Sequence, residues 1–186
     1  MGTGWAVLVT VGGGDDDGPV VVDRRRAELV EGPGRFVYHL AAELPPAEAE
    51  AVASEAGAAA AAAAATALAD VVRAAEAAGH RLARAVVVGP PGNGVGPVAE
   101  AVRTHTTIHT AEGELYRSAV RAACRAAGLV VDHVPARELA DRAALTLGRP
   151  PEAVAATVAR LGRELGPPWR RQHKDAALAA WMSFAE

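Results

Sequence analysis

Three groups of residues have the types and spacing to do chemistry. The first lies in THTTIHTAEGELYR. His105, His109 and Glu112 are spaced i, i+4, i+7, which on a continuous helix lines one face and offers nitrogen and carboxylate donors to zinc. The intervening threonines and Ile108 are poor helix residues, so the same stretch also reads as a polar loop lining a ligand pocket beyond a strand end. Glu112 and Glu114 form a second pair, expected in the first turn of a helix. They read either as acids turned toward a metal or as charges complementing the helix dipole. Asp132 carries the same two readings, as an acid near a strand end. The third group is Trp169, Arg170, Arg171 and Lys174, with Arg163 nearby. Cations beside an indole suit phosphate contact and base stacking, and equally suit solvated charges around an aromatic that packs a loop.

Other motifs are less specific. GPPGNGVGP (89–97) follows a strand pattern and is rich enough in glycine to present N–H groups to an anion. It lacks the Lys-Ser/Thr of a nucleotide phosphate loop, and its GxGxG spacing is not the dinucleotide fingerprint. Asp15, Asp16 and Asp17 precede a glycine and read as turn residues, without the alternating ligands of a calcium loop. Arg24, Arg25 and Arg26 fall on a strand, where alternate side chains face opposite ways.

The chain has 186 residues, enough for one domain with a real core, and is read as a single domain over 1–186. Aromatics make up only 4%, so that core must be built from Ala, Val and Leu. A net charge of -3 provides no global field for nucleic acid, which would need a local basic patch. One cysteine, Cys124, excludes an internal disulfide and fits a reducing compartment. MGTGWAVLVTVGGG has no basic leader region, and Ala6 does not complete a myristoylation motif after Gly2. The apolar stretch near 56–69 is almost pure alanine, too weakly apolar for a convincing membrane span, so a cytoplasmic protein without a membrane partner is expected.

The elements that must position these residues follow from periodicity and punctuation. Residues 5–11, 19–30 and 35–44 read as strands joined by Gly-rich turns, an antiparallel meander. Pro45 and Pro46 open a long helix to about Ala78, with Gly79 as its C-cap. Residues 82–88 form a fourth strand, and a short helical turn follows at 98–103. Thr104–His109 carries no assignment. Thr110 is the expected N-cap of a helix through Ala127, which Gly128 ends. Residues 129–134 give a fifth strand. Helices cover 136–147 and 151–165, and a last helix starts near His173, with Trp181 and Phe184 facing the core. A meander leading into βαβ units predicts an α/β fold with a mixed five-stranded sheet and helices on both faces.

That order, with GLVVDHVP (128–135), PPEAVAATVARL (150–161) and HKDAALAAW (173–181), resembles the ribonuclease-H-like superfamily, the Holliday-junction-resolvase branch in particular. The resemblance implies nuclease chemistry with two Mg²⁺ or Mn²⁺ ions held by carboxylates. Asp175 matches the acid of the closing helix. Thr10, Gly89 and Gln172 stand where the other acids belong, and a single carboxylate cannot hold two hard cations. The resemblance therefore implies a non-catalytic or degenerate member, contacting nucleic acid through Trp169, Arg170, Arg171 and Lys174 or contacting a protein. Two alternatives stand beside it. One is a divergent Mg²⁺- or Mn²⁺-dependent nuclease using Asp175, Glu112 and Glu114, with Asp175 and Glu112 on the metal. The other is a small-molecule or nucleotide-binding α/β protein using the 89–114 region.

Overall fold

Branched and aromatic residues in WAVLVTV form β1 (Trp5–Gly13), which pairs with β2 (Pro19–Glu28). The structure is a computed structural model that describes residues 2–13, 18–92 and 94–183. The turn assigned to Asp15–Asp17 and the core position assigned to Phe184 lie outside the described residues.

The expected third strand does not form. Gly32–Arg35 makes a 3-10 turn and Val37–Ala41 a short helix, α1. Val37, Tyr38 and Ala41 are the residues this segment buries, at i, i+1 and i+4, which is a helical rather than an alternating period. Branched and aromatic side chains at 36–38 favour a strand locally, and packing against neighbouring helices overrides that preference.

Helix α2 (Pro46–Ala77) is the expected long alanine helix, opened by a proline whose missing N–H costs nothing in the first turn. Ala49, Ala53, Ala60, Ala64, Leu68, Val71 and Ala75 form a buried stripe along it. By length and composition alone α2 is long and apolar enough to cross a membrane. The parallel pair β3 (Arg84–Val88) and β4 (Val130–Val134) runs in register from Arg84 opposite Val130 to Val88 opposite Val134. Its crossover contains α3 (Val98–Ala101) and α4 (His105–Ala126). Three helices close the chain: α5 (Leu139–Leu147), α6 (Pro151–Leu165) and α7 (Arg171–Met182).

The fold is thus α/β, but the five-stranded sheet is not found. Among the described residues the strands form two separate two-stranded sheets, β1 with β2 and β3 with β4. The meander needed residues 35–44 as its next member, and a helical segment does not present the extended, alternating row of N–H and C=O groups that a ladder requires.

The described chain divides into two compact units. The first comprises 1–6, 26–68 and 92–127. Its core joins Val37, Tyr38 and Ala41 of α1 to Ala49 and Ala53 of α2, Val98 and Ala101 of α3, and Ile108 and Ala111 of α4. The second comprises 7–25, 69–91 and 128–186. There Val134 packs with Leu139, Ala143, Val154, Ala179, Trp181 and Met182. The start of α7 is tied down within this unit. Arg24 donates to the carbonyls of Gly166 and Pro168, each at 2.9 Å, and the Arg170 N–H donates to His173 Nδ1 at 3.2 Å.

Burial, then the charges of Arg24 and Arg170, hold the His173 imidazole below its ordinary value. The folded state therefore favours the neutral ring. Its contribution to stability is complete above the unfolded value of 6.5 and is lost as pH falls through the lower folded value. Urea unfolding between about pH 7.5 and about pH 5 is expected to show this loss, and His173→Asn, which keeps an acceptor but does not titrate, should flatten it. An unchanged slope in that variant contradicts the assignment.

Candidate metal centre

Helix α4 begins at His105, not after Thr110. Thr104 is its N-cap: the Thr107 N–H donates to Thr104 Oγ1 at 3.1 Å, and the Thr104 N–H donates to Thr107 Oγ1 at 2.9 Å. Thr107, one of the threonines that disfavour a helix interior, instead forms its capping box with Thr104. This start makes the 105–112 stretch continuous helix. At about 100° per residue, His105, His109, Glu112 and Tyr116 share one face, while Glu114, Arg117, Ser118 and Arg121 share the opposite one.

On the first face the histidines gain a partner that the spacing could not show. His39 of α1 lies beside them, with its ring centroid 4.9 Å from that of His109 and 5.7 Å from that of His105. One nitrogen from each of His39, His105 and His109 falls within 4.8 Å of the others. His105 Nε2 and His109 Nε2 are 3.1 Å apart, close to the ~3.3 Å between two imidazoles on one tetrahedral zinc. Beneath the rings is Glu112, only 1% exposed. Its Oε1 is 2.8 Å from His39 Nδ1. With the carboxylate as acceptor, His39 carries its proton on Nδ1 and leaves the Nε2 lone pair free. Glu112 Oε2 is buried without a hydrogen-bond partner, and the nearest imidazole nitrogen it can pair with is His109 Nδ1 at 3.9 Å. A single carboxylate thus lies under two of the three rings. Burial, followed by the charges of Glu112 and Tyr38, pushes the neighbouring Tyr116 hydroxyl up to about 12, and this hydroxyl donates to the Arg35 carbonyl at 2.6 Å.

The opposite face solves the burial of a carboxylate differently. Glu114 accepts from Arg121, from Ser118 Oγ at 2.9 Å and from the Gly94 N–H at 3.2 Å, and it pairs with Arg117 at 3.3 Å. Burial alone would raise this carboxyl, but the Ser118, Gly94 and Arg121 hydrogen bonds outweigh it and hold the group below its ordinary value. Arg121 also donates to the Gly92 carbonyl at 3.1 Å, and a Cβ at Gly92 would run into the Glu114 carboxylate. The glycine loop does receive an anion here, and that anion is the protein's own Glu114. Glu112 and Glu114, expected in one site, are not brought together.

The other expected site residues belong to the second unit. Asp175 is 3.6 Å from Arg171 on the same helix. Asp132 pairs with Arg84 across the parallel strands at 3.0 Å. Thr10 is buried on β1. Trp169 lies against Gly162 and donates Nε1–H to the Val158 carbonyl at 3.1 Å, which occupies the indole in packing. Arg170, Arg171 and Lys174 are exposed. In the first unit, Cys124 on α4 is buried, and burial pushes its thiol up to about 11, so it is inert as a nucleophile.

Comparison of the chain with protein-family models, with curated proteins and with solved structures gives no match. The site therefore rests on its own geometry. His39 had no signal in the sequence beyond an imidazole in a segment read as strand. The Glu114, Arg117, Ser118 and Arg121 cluster did have one, the i, i+3, i+4, i+7 spacing of a helix face.

Replacing Arg121 by Met removes a buried cationic partner of the Glu114 carboxylate and the tether to Gly92. The expected cost is about 3–5 kcal/mol in urea unfolding. A cost below about 1 kcal/mol would show that the network is not structural.

Proposed function

We propose that this protein binds a transition metal of the zinc class through His39, His105 and His109, with Glu112 orienting the ligands and one coordination position open to solvent. The observation that carries the reading is Glu112, a buried carboxylate with one oxygen on His39 Nδ1 and the other unpartnered beside His109 Nδ1. Carboxylates in this position fix the tautomer and direction of metal-ligating histidines. An orphaned buried oxygen costs free energy until positive charge compensates it. A nitrogen-rich donor set suits zinc rather than Mg²⁺ or Mn²⁺, which prefer oxygens. The side chains of His39 and His109 are 35% and 53% exposed, so the site opens to solvent instead of being sealed as structural zinc sites are. Zinc held by three imidazoles keeps a position for water or a substrate oxygen and acts on it as a Lewis acid, which makes hydrolysis the chemistry that best fits.

A second reading concerns the other unit. Exposed Arg170, Arg171 and Lys174 at the start of α7 supply a local cationic patch. They support contact with a nucleic-acid backbone without stacking by Trp169. This reading expects salt-sensitive retardation of duplex or single-stranded DNA that Arg170→Ala with Lys174→Ala weakens and Asp175→Asn does not.

For the metal reading, the purified chain is expected to take up one zinc ion per molecule by equilibrium dialysis. Cobalt should give the visible spectrum of a four-coordinate nitrogen site. Replacing His39, His105 or His109 by Ala should abolish uptake at micromolar zinc, and Glu112→Gln should weaken it about 10–100-fold. Stoichiometric uptake that survives loss of both His105 and His109 sinks the proposal.

A further inference from the structure

The histidine cluster is bordered on one side by a short ladder of side chains. Phe36 meets the His39 ring edge to face at 6.0 Å, and the Arg35 guanidinium carbon lies 5.2 Å from the Phe36 ring centroid. Phe36 is 41% exposed, unusual for an aromatic in a chain with so few. The ladder is held in place from α4. Tyr116, on the same face as His105, His109 and Glu112, donates its hydroxyl to the Arg35 carbonyl. The stem of Arg35 fills the space above Gly4, where a Cβ would meet its Cβ at 2.7 Å. The backbone and stem of Arg35 are therefore fixed, and its cationic head pairs with no carboxylate among the described residues.

From this arrangement we infer that the metal centre takes a small organic anion. A donor oxygen at one end occupies the open metal position, an apolar body lies along Phe36, and an anionic group at the other end meets Arg35. The inference rests on the three-histidine reading above. The charge balance favours it. A divalent ion on three neutral imidazoles exceeds the single charge of Glu112, and Arg35, next to Phe36, adds another positive charge to the ladder. A planar guanidinium also matches the geometry of a carboxylate, which it can engage by two parallel hydrogen bonds.

Two probes separate the elements of this claim. Benzohydroxamate offers a zinc-chelating head and a ring, and 4-carboxybenzohydroxamate adds the distal carboxylate. With zinc-loaded protein, calorimetric titration is expected to show the carboxylated probe binding about fivefold more tightly, the scale of one solvent-accessible ion pair. Arg35→Gln should erase that difference and Arg35→Lys should restore part of it, with zinc affinity unchanged in both. These variants keep the backbone carbonyl that Tyr116 holds. Equal affinity of the two probes for the zinc-loaded parent, or a preference that survives Arg35→Gln, overturns the inference while leaving zinc binding intact. Failure of the parent to take up zinc overturns both readings.

Discussion

The reciprocal hydrogen bonds between Thr104 and Thr107 set the start of α4, and much of the first unit follows from that start. A helix that begins at His105 has a fixed phase. Given that phase, its polar residues must separate into two rows on opposite sides, with Ile108 and Ala111 left for the apolar core. A start at Thr110 would leave His105 and His109 outside the helix and remove any reason for them to align with Glu112. One cap therefore decides whether the unit has a cluster of imidazoles or a polar loop. Caps contribute only about 1 kcal/mol, so here the geometric consequence is larger than the energetic one.

The two rows show how differently a helix can bury an acid. Glu114 is surrounded by donors from Arg121, Ser118 and Gly94, and this saturation holds a loop in place. Glu112 is more deeply buried and far less satisfied, with one imidazole hydrogen bond and one bare oxygen. Saturation marks a carboxylate that serves the fold. Incomplete satisfaction under a cluster of potential ligands marks one whose remaining partner comes with the ligand. The comparison is internal to a single helix, so both acids share the same backbone environment and differ only in what faces them.

Much of the scaffold was legible in the sequence because its signals were local. Pro46 and the alanine run announced α2, and the branched runs near 84–88 and 130–134 announced β3 and β4. Gly128, with its positive φ of 78°, closes α4 where a C-cap was expected. The failures came where local preference and packing disagree. FVY looks like strand, yet its burial follows a helical period, and with that one reversal the meander and the five-stranded sheet were lost. The threonines at 104–110 look like helix breakers because propensity describes helix interiors, whereas Thr104 and Thr107 sit at an end. The metal-ligand spacing on α4 could be read in advance. The contribution of His39 could not, since only the tertiary packing of α1 on α4 brings it there.

That packing also links the proposed chemistry to stability. Helix α1 is five residues long, too short to hold its shape without tertiary contacts. Its place in the first unit depends on Val37, Tyr38 and Ala41 in the core and on the His39 contact with Glu112. An ion bound by His39 together with His105 and His109 would cross-link this short helix to the first turns of α4, the part of a helix most prone to fraying. Any ligand that binds only the folded state adds stability by mass action. In this unit that stabilisation would fall on the packing of α1 against α4. Metal binding would thus reinforce a packing that Glu112 already fixes through its hold on His39.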